Sequence, residues 1–124
     1  MAGEAILIVE DNQINAMLVN VLLTEKGYVT RIAANAAEAL EAAQTFKPAL
    51  IIMDLQLPGM DGLELTRQLK SDPRYKEAII VAVTAYAMKG DREKSLAAGC
   101  DEYISKPINT TTFADTITKL LLTR

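Results

Sequence analysis

The chain has 124 residues and a mass of 13.5 kDa, which suits one domain with one hydrophobic core. Its net charge of -3 argues against a direct nucleic-acid surface, and its lack of histidine excludes histidine catalysis, histidine metal ligands and a phosphohistidine. A single cysteine excludes an internal disulfide, no apolar run approaches the roughly 20 residues of a membrane span, and the N-terminus lacks signal-peptide features, so we expect a cytoplasmic protein without membrane insertion.

The first elements along the chain are a strand, a helix and a second strand. The run AILIV is rich in branched aliphatic residues and predicts a buried strand over Ala5–Val9. A helix follows and ends at Gly27. Its apolar residues at helical spacing are Ile14, Met17, Leu18, Val21 and Leu22. The more polar run YVTRIA predicts a strand at a sheet edge over Tyr28–Ala33.

A second helix and a third strand follow. Asn35 and Glu38 stand three residues apart, as in a capping box, and predict the start of an alanine-rich helix that runs through Phe46. The apolar run ALIIM then predicts the third strand over Ala49–Met53.

The second half of the chain repeats this alternation. A helix is predicted over Leu63–Lys70 and the fourth strand over Ile79–Val83. A short helix over Asp91–Ala98 precedes the fifth strand, which is predicted over Glu102–Ser105. Asn109 is expected to cap the last helix. The apolar residues of that helix are Phe113, Ile117, Leu120 and Leu121.

Five strand–helix repeats with continuous apolar strands are typical of a parallel sheet that helices cover on both faces. We therefore expect an α/β fold of the doubly wound (βα)5, flavodoxin-like type. Its five parallel strands should follow the order 2-1-3-4-5. Since no linker, repeat or low-complexity stretch interrupts the pattern, residues 1–124 are predicted to form a single domain.

Polar groups stand at the carboxyl ends of four of the five predicted strands. Glu10 and Asp11 follow the first strand, Asp54 ends the third, Thr84 ends the fourth and Lys106 follows the fifth. In open α/β sheets, ligands bind at these ends where the strand order reverses, so the carboxylates of the first and third strands should converge. Each residue alone also suits an ordinary role as a cap, turn or surface residue, but all four strand ends together favour a site.

Three converging carboxylates need compensation, because one pKa would otherwise rise strongly. Mg²⁺ prefers oxygen ligands and is the predicted cofactor. A carboxylate nucleophile, a metal, the hydroxyl of Thr84 and the cation of Lys106 are the components of phosphoryl transfer. No glycine-rich phosphate loop is present in the sequence, so the phosphoryl group is expected to come from another protein or a small acyl phosphate.

Four motifs occur in order along the chain: LIVEDN, MDLQLPGMDG, VAVTAYA and YISKPI. In these motifs and their spacing, the chain resembles the receiver domains of bacterial two-component response regulators over essentially its whole length. The stretches VAVTAYAMKGD and AGCDEYISKPI are most similar to stand-alone DivK-type regulators and to receivers of hybrid histidine kinases. Since no output domain follows in this sequence, we expect a single-domain regulator.

The resemblance implies a phosphoacceptor and a metal site. Asp54 would be the phosphoacceptor, and Asp11 and Asp54 would bind Mg²⁺ through their carboxylates. Glu10 would act on the metal largely through water, and Gln56 would lend its backbone carbonyl.

The resemblance also implies a switch. Thr84 and Lys106 would sense the phosphoryl group, and Tyr103 stands at the aromatic position that would move with Thr84. Gln56 and Tyr86 stand two residues after Asp54 and Thr84, where residues tune the lifetime of the acyl phosphate.

The leading hypothesis is a switch protein rather than an enzyme. It would accept a phosphoryl group from a sensor histidine kinase or a histidine phosphotransfer protein and then bind a downstream protein target. A phosphorelay intermediate that passes the group onward is the nearest variant. A phosphatase with an aspartyl-phosphate intermediate is less favoured, because Gln56 stands where such enzymes usually carry a second acid. An interaction module without phosphorylation is disfavoured by the intact acid cluster and Lys106.

Overall fold

Strands and helices alternate along the chain in the computed structural model, which describes residues 3–57, 61–85 and 91–123. The strands are β1 (Ala5–Val9), β2 (Val29–Ala33), β3 (Leu50–Asp54), β4 (Ile79–Thr84) and β5 (Glu102–Ser105). The helices are α1 (Gln13–Thr24), α2 (Ala36–Phe46), α3 (Gly62–Ser71), α4 (Asp91–Ala98) and α5 (Phe113–Leu122). No helix within the described ranges has the length and apolar character that crossing a membrane requires.

The strands form one parallel sheet in the order β2-β1-β3-β4-β5. The predicted doubly wound fold and its strand order are therefore confirmed, as is the edge position of β2. Because the order reverses between β1 and β3, the carboxyl ends of these two strands meet at the crevice where ligands bind in such sheets.

Helices cover both faces of the sheet. On one face, α1 and α5 pack over alternate residues of the central strands, including Ile8 and Ile52. On the other face, α2 and α3 pack over the intervening residues, including Val9 and Met53. All residues of β3 and β4 are buried, as expected for central strands of a parallel sheet.

The sheet includes two residues that the predicted strand boundaries left outside. β3 extends to Asp54 and β4 extends to Thr84, one residue beyond each predicted end. Asp54 pairs in register with Val83 of β4, and Thr84 pairs with Ser105 of β5. The sheet itself therefore sets the positions of both predicted functional side chains, because their backbones belong to its hydrogen-bonded ladder.

The apolar residues that predict α1 lie mostly on its exposed side. Ile14 is 80% exposed and Met17 is 58% exposed, and other residues of α1 pack against the sheet. The residues that α1 buries are Ala16, Val19 and Leu23. We call the exposed set the α1 apolar face: Ile14, Met17, Leu18 and Val21. The helix prediction is confirmed, but its most regular apolar stripe is not the one that faces the core.

The predicted capping box at α2 is present in modified form. The Glu38 backbone N–H donates to Asn35 Oδ1 at 2.9 Å, as predicted. The Glu38 carboxylate accepts from the backbone N–H of Ala34 at 2.9 Å, one residue before the cap. Both contacts satisfy donors at the start of the helix, where the backbone has no helical partner.

The predicted cap of the last helix is wrong. α5 begins at Phe113, and its capping position is Thr112 rather than Asn109. Asn109 Oδ1 instead accepts from the backbone N–H of Thr111 at 3.0 Å and closes a local turn. Asparagine forms such turns with the backbone two residues ahead as readily as it caps a helix, so the sequence pattern does not separate the two outcomes.

Candidate functional site

Three carboxylates meet at the carboxyl ends of β1 and β3. Oxygen atoms of Glu10, Asp11 and Asp54 all lie within 4.8 Å of one another. Glu10 and Asp54 are buried, with 6% and 4% exposure, while Asp11 faces solvent. The structure thus brings together the acids whose convergence the strand-end argument predicts.

The pairing of β1 with β3 explains why these acids meet. Ile8 and Ile52 are register partners in this pair and lie on the same face of the sheet. Side chains alternate along a strand, so residues two positions further on return to that face. Those residues are Glu10 and Asp54, and they therefore lie side by side just beyond the apolar core.

Lys106 supplies the cation of this cluster. Its Nζ lies 2.8 Å from Glu10 Oε1 and 3.6 Å from Asp54 Oδ2, and its side chain is 16% exposed. The backbone N–H of Lys106 donates to Thr84 O at 2.8 Å, which holds the residue after β5 beside the end of β4. The ammonium group is therefore fixed between two acids at the mouth of the site.

The charges of the cluster perturb its titration. Burial, followed by contact with the Asp54 carboxylate, raises the pKa of Glu10 above its ordinary value. Burial alone would lower the pKa of Lys106, but its bond to Glu10 and the charges of Asp54 and Glu10 outweigh burial and raise that pKa. Among the residues that the structure describes, three carboxylates face one ammonium group, and this excess of negative charge favours binding of a further cation.

The donor set fits a hard dication such as Mg²⁺, which takes carboxylate and carbonyl oxygens together with water. Backbone N–H groups orient two of the carboxylates. Gln56 N–H donates to Asp54 Oδ1 at 3.0 Å, and Asn12 N–H donates to Glu10 Oε2 at 3.2 Å. The Gln56 backbone therefore lies beside the acids, while the metal-binding role of its carbonyl stays a prediction.

The predicted switch residues lie on β4 and β5. Thr84 is 2% exposed, and Tyr103 is half-buried. Tyr103 is the register partner of Ala82, so alternation places the Tyr103 and Thr84 side chains on the same face of the sheet. That face is the one that α2 and α3 cover. Tyr86, which is predicted to tune the phosphoryl lifetime, lies outside the described residues.

Two residues that the sequence analysis does not select also shape the site. Asn12 caps α1 by accepting from Asn15 N–H at 3.0 Å, while its own N–H orients Glu10. A Cβ atom added at Gly62 would lie 2.6 Å from Asp54 O, so only glycine fits there. The Asn12 cap has a sequence signal in the polar run before α1, but the close approach at Gly62 depends on how α3 packs.

Asp11→Asn is expected to weaken Mg²⁺ binding by at least about tenfold, because it removes one negative charge next to the cation. Because Asp11 is exposed, this substitution should leave the hydrophobic core unchanged. Calorimetric titration with Mg²⁺ measures the effect. Asp61→Asn is the matched control, since Asp61 is an exposed cap of α3 and asparagine also caps helices. Equal Mg²⁺ affinity of Asp11→Asn and the control would refute the role of Asp11.

The free energy of unfolding of Glu10→Gln is expected to rise relative to that of the wild type as the pH rises above 4.5, the ordinary pKa of glutamate. The raised pKa means that the folded protein keeps this proton to higher pH than the unfolded chain does. Ionisation of Glu10 therefore costs stability between the two pKa values. Glutamine has no charge and can still accept a hydrogen bond from Lys106.

Thermal unfolding of the two proteins without Mg²⁺, across a series of pH values, measures this difference. Glu25→Gln, at the exposed end of α1, serves as the control variant. A difference in melting temperature between Glu10→Gln and the wild type that stays constant with pH would contradict the expected titration of Glu10.

Comparisons with known proteins agree with this fold and arrangement. A family model described as the response regulator receiver domain matches residues 6–118. The chain is 45% identical to the polar-differentiation response regulator DivK of Brucella anthropi over 118 residues, which are 95% of this chain and 96% of that protein.

Solved structures are similar over almost the whole chain. A putative response regulator from Chloroflexus aurantiacus has a TM-score of 0.90 at 30% identity, covering 98% of this chain and 99% of that chain. The receiver domain of a sensor histidine kinase from Pseudomonas aeruginosa has a TM-score of 0.83 at 33% identity, covering 98% and 97%. That structure has a magnesium ion coordinated in its active site cleft.

Proposed function

Because the chain belongs to the response regulator receiver domain family, we propose that it accepts a phosphoryl group on Asp54 and thereby controls its binding to other proteins. The observation that carries the proposal is the position of Asp54. Its carboxylate is buried among two further acids, and the Lys106 ammonium group lies 3.6 Å away. A carboxylate so placed can serve as the nucleophile in phosphoryl transfer.

The transfer moves the phosphoryl group from a phosphohistidine or an acyl phosphate to Asp54. A carboxylate oxygen of Asp54 forms the new bond to phosphorus as the bond to the donor nitrogen or oxygen breaks, and the donor keeps that electron pair. Lys106 stabilises negative charge on the phosphoryl oxygens. Gln56 N–H keeps the Asp54 carboxylate in one orientation through its 3.0 Å bond.

Mg²⁺ is the proposed cofactor. Asp11 and Asp54 would hold it through their carboxylates, Glu10 largely through water and Gln56 through its backbone carbonyl. When bound, it supplies positive charge that offsets the acids and the incoming phosphoryl oxygens. The convergence of the three carboxylates supports this assignment, because their oxygen atoms all lie within 4.8 Å of one another, as ligands of one hard cation would. Thr84 and Lys106 are the proposed contacts of the phosphoryl group, and their backbones are joined by the 2.8 Å bond.

The α1 apolar face supports a protein as the phosphoryl donor. It starts next to the acid cluster, because α1 follows β1 within a few residues. A cavity of about 330 Å³ opens between this face and the segment after β5, lined in part by Leu18, Lys106 and Ile108. Exposed apolar surface beside a reactive group is suited to packing against the helices of a sensor kinase or a histidine phosphotransfer protein.

Met17→Lys is expected to slow phosphoryl transfer from a protein donor by at least about fivefold, because it places a charge in the proposed docking surface. Labelling by acetyl phosphate is measured in parallel, because Met17 lines a cavity with Glu10 and Asp11, and docking predicts a larger loss of rate with the protein donor than with acetyl phosphate. Leu122→Lys is the matched control on α5, with 60% exposure. Transfer assays with a phosphorylated histidine phosphotransfer protein measure the rates, and equal rates for both variants would contradict docking at α1.

A phosphorelay role uses the same site and differs only in the fate of the phosphoryl group. Transfer from labelled protein to an unphosphorylated histidine phosphotransfer protein would establish that variant. For the phosphatase alternative, Gln56 occupies the position of the second acid and contacts Asp54 through its backbone. We therefore propose a switch protein that turns over only its own phosphoryl group.

The decisive experiment is the intact mass of the protein after incubation with acetyl phosphate, with and without Mg²⁺. One phosphoryl group per chain, dependent on Mg²⁺, is the expected result. An unlabelled protein would refute the proposal and favour an interaction module. Sustained hydrolysis of a phosphomonoester would instead favour the phosphatase.

A further inference from the structure

One stripe of α3 connects the Asp54 segment with the turn between α4 and β5. The stripe consists of Gly62, Thr66 and Lys70, which stand four residues apart and therefore lie on one face of the helix. Gly62 and Thr66 are buried, and Lys70 is half-buried. The opposite face of α3 carries the exposed Gln68.

At the first turn of α3, the stripe lies directly against the phosphoacceptor segment. A Cβ atom at Gly62 would lie 2.6 Å from Asp54 O and 2.7 Å from Leu55 Cα, so no free space separates the helix from this segment. Gly62 N–H also donates to Leu55 O at 3.2 Å. A shift of the backbone at Asp54 and Leu55 therefore acts directly on the start of α3.

In the middle of the stripe, a buried contact reaches the segment after α4. Thr66 Oγ1 donates to Gly62 O at 2.8 Å, and Cys100 Sγ donates to Thr66 Oγ1 at 3.9 Å. Thr66 has no exposed surface, and Cys100 is 5% exposed. Dense packing of this kind transmits displacement instead of absorbing it.

At the last turn, Lys70 connects α3 to the residue before β4 and to the turn before β5. Its Nζ donates to Ala78 O at 2.7 Å and to Asp101 Oδ2 at 3.0 Å. The same Asp101 oxygen accepts from Ile80 N–H at 2.8 Å. A Cβ atom at Gly99 would lie 2.8 Å from Lys70 Cγ, so the turn rests on the Lys70 side chain.

We propose that α3 transmits phosphorylation of Asp54 to the α4–β5 turn through this stripe, in parallel with Thr84 and Tyr103. The inference rests on the proposed phosphorylation of Asp54. The helix is a stiff rod of about 12 Å between Gly62 and Lys70. Both of its ends are packed, so a displacement at Asp54 is taken up at the turn, which sets the position of the C-terminal end of α4.

Hydrogen exchange of the Cys100 and Asp101 amides tests this inference. These amides donate to Ser95 O and Ile80 O, which are bonds that join the turn to α4 and β4. Exchange is measured with Mg²⁺ alone and with Mg²⁺ plus beryllofluoride, a phosphoryl analogue. In the wild type, the analogue is expected to change the exchange rate at the turn by at least about threefold.

Lys70→Met keeps the packed stem but loses the ammonium group, and it is expected to remove most of that change. Lys70→Arg should restore it, and Gln68→Met, on the exposed face, should leave it intact. Thr66→Val keeps the branched shape, removes the central hydroxyl and should also reduce the change. If Lys70→Met does not fold, the comparison of Thr66→Val with the wild type is the test instead.

Two results would overturn the inference while the proposed function stands. One is a wild type that is labelled at Asp54 but whose Cys100 and Asp101 amides exchange at the same rate with and without beryllofluoride. The other is a full wild-type change in both Lys70→Met and Thr66→Val. A wild type that takes no label from acetyl phosphate refutes the proposed function and this inference together, and the intact mass identifies that case.

Discussion

Asp54→Asn is expected to take up no phosphoryl group at position 54, whereas the wild type is labelled by acetyl phosphate in the presence of Mg²⁺. An amide lacks the anionic oxygen that attacks phosphorus, although its carbonyl oxygen can still accept from Gln56 N–H. The substitution also removes one of the three charges that would hold the metal. Loss of labelling should therefore be complete at this residue.

Intact mass and peptide mapping measure the label and its position. Asp61→Asn is the control, because Asp61 is a nearby exposed aspartate whose capping bond to Leu63 N–H asparagine can replace. This control should be labelled as the wild type is. Full labelling of Asp54→Asn would show that the phosphoacceptor is another residue.

Tyr103→Ala is expected to accept the phosphoryl group at Asp54 but to lose most of the resulting change in partner affinity. Couplings of this kind are worth about 5–150-fold in affinity, so the wild-type ratio is large enough to measure. The reason lies in β4 and β5. Tyr103 lies on the same face as Thr84 and is half-buried, so a movement of Thr84 is expected to change the space open to its ring.

Titration of a protein partner against both forms of the wild type and the variant measures this ratio. Tyr103→Phe keeps the ring and separates its packing from the hydroxyl group. If Tyr103→Ala keeps the full wild-type ratio, the ring is not the relay. The α3 stripe would then be the remaining proposed route.

The two routes can be separated by a double-mutant cycle of Tyr103→Ala with Lys70→Met. Independent routes give additive losses of coupling free energy, whereas members of one route give less than the sum. Lys70 belongs to α3 and Tyr103 to β5, so each single variant leaves the contacts described for the other route intact.

The fold and the position of the site follow from local features of the sequence. The strands are short runs between helical patterns, most apolar at the centre of the sheet, and that alternation is typical of a parallel sheet. Once the strand order is known, the acids at the ends of β1 and β3 have to meet, because parallel strands end at one edge. The sequence motifs also identified the family, which the family model confirms.

Other features depend on how the elements pack together in the folded protein. Periodicity predicts that α1 has an apolar face, but its neighbours determine that Val19 and Leu23 are buried while Ile14 and Met17 stay exposed. The stripe on α3 likewise cannot be predicted from the sequence, since glycine, threonine and lysine have no chemical property in common. They act together only because α3 lies between the Asp54 segment and the turn before β5, and contacts between segments distant in sequence depend on the positions of whole elements.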